Sequence, residues 1–199
     1  MSKLDMSRRE KQKLETRRHI QSVAKSHIAE FGYEKTTMRA LSKAAEVGLG
    51  TISLHFKDKK SLLLASFYEE IEEVVRRAID GAEELRTLRE QLLHIVMGLF
   101  RYYADNTQYS RAVLKEALFA GGEWGAILDE QISKNGARVT EFFEKAQLRG
   151  ELQIDRDPAA MTMVYWSIYI NCLVNGLKQE SFNPDVQMRK LTPLIDSIL

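Results

Sequence analysis

Covalent chemistry has little to work with in this chain of 199 residues. Its one cysteine, Cys172, lies in an apolar stretch with no neighbouring histidine, the setting of an inert core thiol rather than an activated nucleophile. The histidines at 19, 27, 55 and 94 are scattered. None has the glutamate three residues before it that a di-iron helical bundle would need. Gly48-Leu49-Gly50 lacks the later glycine and the preceding strand of a dinucleotide site. An enzyme is therefore not expected, nor a metal or cofactor. What remains is the chemistry of recognition.

Residues 37–56 carry it. Thr37 is a good N-cap for a short helix that turns Leu41, Ala44 and Ala45 inward. The stretch Glu46-Val47-Gly48-Leu49-Gly50 breaks the pattern, and residues 51–56 allow one more brief helix with Ile52 and Phe56 on its inner face. Two short helices joined by a tight turn have the layout of a helix-turn-helix, whose second helix enters the DNA major groove. Small Ala44 and Ala45 let the helices approach, while Val47 and Ile52 fill the space between them. Leu49, Thr51 and Leu54 are then placed for apolar contact with thymine methyls, and Arg39 for a guanine or a phosphate. Few of these side chains can make bidentate bonds to bases, so specificity would rest partly on DNA shape and half-site spacing.

The elements around this segment are helical. Only 3 prolines and 11 glycines punctuate a chain that is 44% hydrophobic and 29% charged, an ordinary composition for a globular protein with a core. Ile20, Val23, Ala24, Ile28 and Phe31 share one helical face, predicting a first helix over 10–31 that Gly32 ends. Asp58 caps a fourth helix, running to about residue 81, with Leu63, Phe67, Ile71, Val74 and Ala78 as its stripe. Further helices are expected near 86–105, 108–119, 126–148, 158–178 and 185–198. The fold class is thus all-α, about nine helices, divided into an arm and head over 1–60 and a helical body over 61–199. The run 159–177 barely reaches the roughly 20 residues of a membrane span and holds Asn171 and Asn175, so it reads as a buried helix. With no multi-cysteine framework and no signal-like start, a cytoplasmic protein without a membrane partner is expected.

Charge is unevenly placed. Residues 1–60 hold 14 Lys and Arg against 7 Asp and Glu, whereas the remainder holds 15 against 21. A basic head on an acidic body can attract phosphates although the net charge is only +1. Arg8, Arg9, Lys11, Lys13, Arg17 and Arg18 could reach phosphates or an adjacent minor groove.

The first 80 or so residues resemble the TetR family of transcriptional regulators. The likeness rests on Phe31-Gly32-Tyr33, Thr36-Thr37-Met38-Arg39, Ala44-Ala45, Val47, Gly50-Thr51-Ile52, His55-Phe56 and Asp58-Lys59, in that order. It implies that residues 50–56 are the recognition helix, that Thr51 and His55 contact DNA, and that Lys59 meets a phosphate at a helix N-terminus. With Thr37, Gly50 and Ser53 added, the expected DNA face is complete. Three residues depart from the family pattern. Glu46 stands where a turn glycine is usual, Gly48 where a serine cap is usual, and Ser53 where a phosphate-contacting tyrosine is usual.

The body is rich in large side chains, among them Phe100, Tyr103, Leu118, Phe143, Tyr165 and Trp166, which suit either a tight core with a dimer seam or a pocket. The resemblance implies a mostly apolar effector cavity, with Arg101, Glu116, Tyr165 and Asn171 as its candidate polar groups. It also implies a homodimer joined through the last two helices, bound to double-stranded DNA at a palindromic operator and released by a small apolar or aromatic effector. An activator, or a dimeric DNA-binding protein without an effector, would have the same head.

Overall fold

The computed structural model describes residues 7–199, which form nine helices and no strand. Part of the basic arm, residues 1–6, lies outside the described residues. Helix α1 (Arg8–Phe31) opens with a capping box in which Ser7 and Glu10 satisfy each other's backbone N–H groups. It stops at Gly32, whose φ of 84° a side chain would resist. Thr37 caps α2 (Met38–Ala44) by accepting from the Ala40 N–H. Helix α3 (Leu49–His55) starts on Gly48 with no side-chain cap. Asp58 accepts from the Ser61 N–H at 2.7 Å to start α4 (Lys59–Glu83).

Then come α5 (Leu88–Asp105), α6 (Thr107–Leu118), α7 (Gly122–Leu148), α8 (Pro158–Leu177) and α9 (Pro184–Asp196). Each of α5, α6, α8 and α9 starts on a side-chain cap, from Thr87, Asn106, Asp157 and Asn183 respectively. Several boundaries differ from expectation by about two residues, among them the start of α3, at Leu49 instead of Thr51, and two others have a packing cause. Gly81 does not end α4, because Ala78, Ile79 and Ala82 are buried there and hold the last turn against its neighbours. Helix α7 begins at Gly122 rather than near 126, since Trp124 and Gly125 pack inward: a Cβ on Gly125 would lie 2.7 Å from the Ala120 carbonyl oxygen.

Two hydrophobic cores result. The small one joins Ile20 and Ala24 of α1, Leu41, Ala45, Ile52, Phe56, and Leu62 and Ala65 of α4. The large one runs from Leu63, Leu64 and Phe67 of α4 through α5 to α9. Ala44, expected inside, is exposed; α2 ends there, and Ala45 takes the inward position.

The turn between α2 and α3 is a Schellman motif. The Val47 N–H bonds back to the Ser42 carbonyl and the Glu46 N–H to that of Lys43, while Val47 packs on the small core. This geometry puts Glu46 at φ 52°, the left-handed region that glycine occupies more easily. Its side chain is exposed. Glu46→Gly is therefore expected to stabilise the protein by about 1 kcal/mol in urea unfolding; equal or lower stability would show that the turn carries no strain.

Candidate functional site

Helix α3 is fixed by its inner side. Ile52 is 0% exposed and Phe56 3%, so the helical period turns the other residues outward. Leu54 is 83% exposed and Leu49 44%, both unusual for leucine in a seven-residue helix. Gly50 and Ser53 are exposed with them, and Thr51 and His55 are half-buried at the edge of the same face. Thr37 and Arg39, exposed at the start of α2, and Arg18 on α1 are also open to solvent. A Cβ at Gly50 would meet nothing within 4 Å, so that turn of helix lies open to close approach.

The charged residues divide into free and committed groups. The exposed side chains of Arg8, Arg9, Lys11 and Lys13 follow one another along the start of α1. Arg17 is tied down: its guanidinium lies 4.5 Å from the centre of the Phe56 ring, pairs with Glu69 at 3.0 Å, and donates to the His55 carbonyl at 3.3 Å. It clamps the end of α3 between α1 and α4. Burial, followed by the nearby charges of Arg17 and Lys13, holds the His55 imidazole below its ordinary pKa, so near neutral pH it is an uncharged hydrogen-bonding group. Lys59 is likewise engaged. Its ammonium donates to the Tyr33 carbonyl at 2.7 Å and sits 4.1 Å from the centre of the Tyr33 ring.

In the body, a cavity of about 330 Å³ opens between α4, α5, α6, α7 and α8. Its walls include Phe67, Ile71 and Val75 of α4, Leu99 and Tyr103 of α5, Leu114 and Leu118 of α6, Leu128 and Ile132 of α7, and Trp166 and Tyr169 of α8. Of the residues expected there, Tyr103, Leu118 and Trp166 are in the wall. The others are placed elsewhere. Phe100, Phe143 and Tyr165 are fully buried in the core, and the Tyr165 hydroxyl is consumed by the Leu92 carbonyl at 2.9 Å. Arg101 and Asn171 are exposed on outward faces of their helices, Asn171 bonding to Asn175. Glu116 pairs with Lys60 of α4 at 3.1 Å instead of facing the cavity.

Sequence reasoning missed the α4 and α7 walls, because Phe67 and Ile71 follow the stripe of any packed helix. It also missed Trp124. This side chain, one residue from the cavity-lining Gly125, packs against both the small and the large core. Glu116–Lys60 and Lys115–Glu34, the latter at 2.9 Å, join α6 to the head at neighbouring points.

Residues 20–66, which hold most of α1, the α2–turn–α3 unit and the start of α4, match the family model of bacterial regulatory proteins of the tetR family. Residues 20–66 of this chain are thus a domain of the TetR family. The fatty acid metabolism regulator protein of Bacillus subtilis is 32% identical over 96 residues, covering 48% of this chain and 50% of that protein. The match thus spans half the length of that relative. The HTH-type transcriptional repressor KstR of Rhodococcus jostii is 25% identical over 175 residues, 88% of this chain and 79% of that protein. The crystal structure of the transcriptional regulator FadR from Bacillus subtilis in complex with stearoyl-CoA superposes with a TM-score of 0.76, over 92% of this chain and 98% of that one, at 20% identity. That likeness extends the TetR-type fold from the head across the body.

The two roles open to Lys59 are separable. Lys59→Met removes a charge-assisted bond and leaves the Tyr33 carbonyl with only the Thr36 N–H as donor, so it is expected to lower unfolding stability by about 1–2 kcal/mol. Unchanged stability would mean that the Tyr33 contacts contribute nothing to the fold.

Proposed function

We propose that this chain is a dimeric, sequence-specific DNA-binding transcriptional regulator, a repressor that a small apolar or aromatic effector releases from a palindromic operator. The observation that carries the reading is α3: a short helix held by Ile52 and Phe56 that offers Leu49, Gly50, Ser53 and Leu54 to solvent. Exposed leucines on a basic head suit thymine methyls in a major groove. Thr37, Arg39, Thr51, His55 and Arg18 border the same face, and the basic start of α1 supplies phosphate contacts. Because Arg17 and Lys59 are engaged in the head, they act on DNA mainly by holding the reading helix in place.

Residues 1–60 serve as the DNA-binding head and 61–199 as the sensing and dimerising body, with the first turns of α4 shared between them. Met163 and Val164 on α8 and Leu194 on α9 are exposed apolar side chains suited to an isologous contact between two copies. Among the described residues no helix is long and apolar enough to cross a membrane, and DNA as the partner fits a cytoplasmic location.

Release follows from α4. Leu62 and Ala65 belong to the head core, while Phe67, Ile71 and Val75 line the cavity a few turns later. An effector that needs a wider cavity pushes the same rod that carries the head. For this to release DNA, the effector must prefer the displaced arrangement, and DNA must weaken effector binding by the same factor. A relative whose solved structure holds stearoyl-CoA makes an acyl compound the first effector to try.

Selection from a random double-stranded library in physiological salt tests the reading: a two-fold symmetric motif is expected, and no enrichment from a folded dimer would overturn it. Leu54→Asp should lower affinity for the selected site by about tenfold or more while leaving stability unchanged, as suits a lost base contact at an exposed position. Deleting residues 1–10 should weaken binding across sequences and flatten its salt dependence.

A further inference from the structure

One residue in the wall of the cavity carries a polar group that the protein leaves unused. Trp166 lines the wall, and its indole N–H is buried without any hydrogen-bond partner. Buried Trp N–H groups ordinarily find an acceptor, and an orphan costs the desolvation of a donor. Gly136 stands close to the indole without offering an acceptor side chain, and even a Cβ there would lie 4.0 Å from Nε1. The Trp166 ring itself is held by its neighbours, with Tyr169 5.4 Å away edge-on and Tyr165 5.0 Å away. The donor is thus held in position while its acceptor is absent.

The remaining polar groups of the wall, Asp129 apart, are neutral phenols and the amides of Gln131 and Asn135. Tyr103 and Tyr169 bring phenols, and burial pushes both up, Tyr103 to about 12, so they keep their protons and can donate. The Gln131 amide N–H₂ is spent on the Tyr68 carbonyl and Glu72. Among the described residues in the wall there is no Lys, Arg or His, and the one acidic side chain is Asp129. A carboxylate ligand would be desolvated with no cation to meet it and with Asp129 repelling it. A cation would meet a single carboxylate, Asp129, which is exposed to solvent, and would otherwise be desolvated against apolar walls.

We infer that the cavity selects an uncharged, largely apolar molecule carrying a carbonyl-type acceptor (ketone, ester, thioester or amide), which takes the Trp166 indole N–H as its anchor. This deepens the effector reading given above and rests on it. A thioester or ester would place its carbonyl inside, and any charged remainder would stay beyond the mouth. Leu118 and Ile132, half or more exposed, border the cavity there, and Phe119 is exposed beside them. The anchor lies on α8 and the opposite wall on α4, so a ligand fixed at Trp166 is braced against the helix that carries the head.

Three probes of nearly equal shape test this on the full chain: acetophenone, benzoate, which replaces the methyl with a charged oxygen, and cumene, which replaces the carbonyl oxygen with a methyl group. Binding is read by chemical-shift titration without DNA. Acetophenone should bind the wild-type protein about tenfold or more tightly than benzoate. In Trp166→Phe, which keeps an aromatic ring and removes the N–H, acetophenone should weaken about fivefold while cumene is unchanged. Benzoate binding as tightly as acetophenone, or an acetophenone-to-cumene ratio unmoved by the substitution, would overturn the inference while leaving an effector cavity in place. No binding by any of the three would overturn both. The comparison of acetophenone with benzoate needs only the wild-type chain, so it decides even if Trp166→Phe does not fold.

Discussion

One continuous helix has to satisfy two cores. Leu62 and Ala65 of α4 close the small core over α1, α2 and α3, and from Leu63 onward the same helix forms a wall of the large core. A helix is stiff along its axis, and its interior is packed as densely as a crystal, so it cannot bend to relieve one core without disturbing the other. The head's orientation is therefore tied to the packing of the body. Everything else that matters for function is attached to this rod: the reading helix at one end, and Phe67, Ile71 and Val75 facing the cavity further along.

Smaller contacts fix the head on that rod without locking it. Arg17 brings α1, α3 and α4 together through a carboxylate, a carbonyl and an aromatic ring. Lys59 ties the start of α4 to the turn after α1. The bridges from α6, Lys60–Glu116 and Lys115–Glu34, are partly or largely exposed and each contributes little in water. Besides Trp124, Ile28 and Tyr33 of the head pack on the large core, so the junction joins a small apolar contact to a few weak ion pairs, all of which depend on how the body's helices are placed. That is what a head needs if its position is to respond to the body.

The cavity combines apolar walls with one wall residue, Trp166, whose donor lacks an acceptor. Apolar surface supplies affinity without direction, since burial is roughly proportional to area. Direction must come from the few polar atoms, and the orphaned Trp166 N–H is the most constrained of them. An unmet donor destabilises the empty protein, and meeting it is a gain available only to a ligand with the right atom in the right place.

Local sequence determined the helices and the reading face. Side-chain caps at Thr37, Asp58, Thr87 and Asn106 are local chemistry, and the period that buries Ile52 and Phe56 also exposes Leu49 and Leu54. The left-handed Glu46 was legible too, because the turn needs that conformation whatever residue occupies it. The sequence could not separate a cavity wall from a core. Phe100, Phe143 and Tyr165 obey the same apolar period as Phe67, Ile71 and Trp166, and only the relative placement of five helices leaves space beside one set and none beside the other. Nor could it tell a free cation from a committed one. Arg17 meets Glu69 from 52 positions away, and Lys59 meets Tyr33 from 26, contacts that exist only once α1 and α4 are packed. Period and capping act within a few residues, whereas cavities and long-range ion pairs depend on how separate helices dock, so tertiary structure decided them.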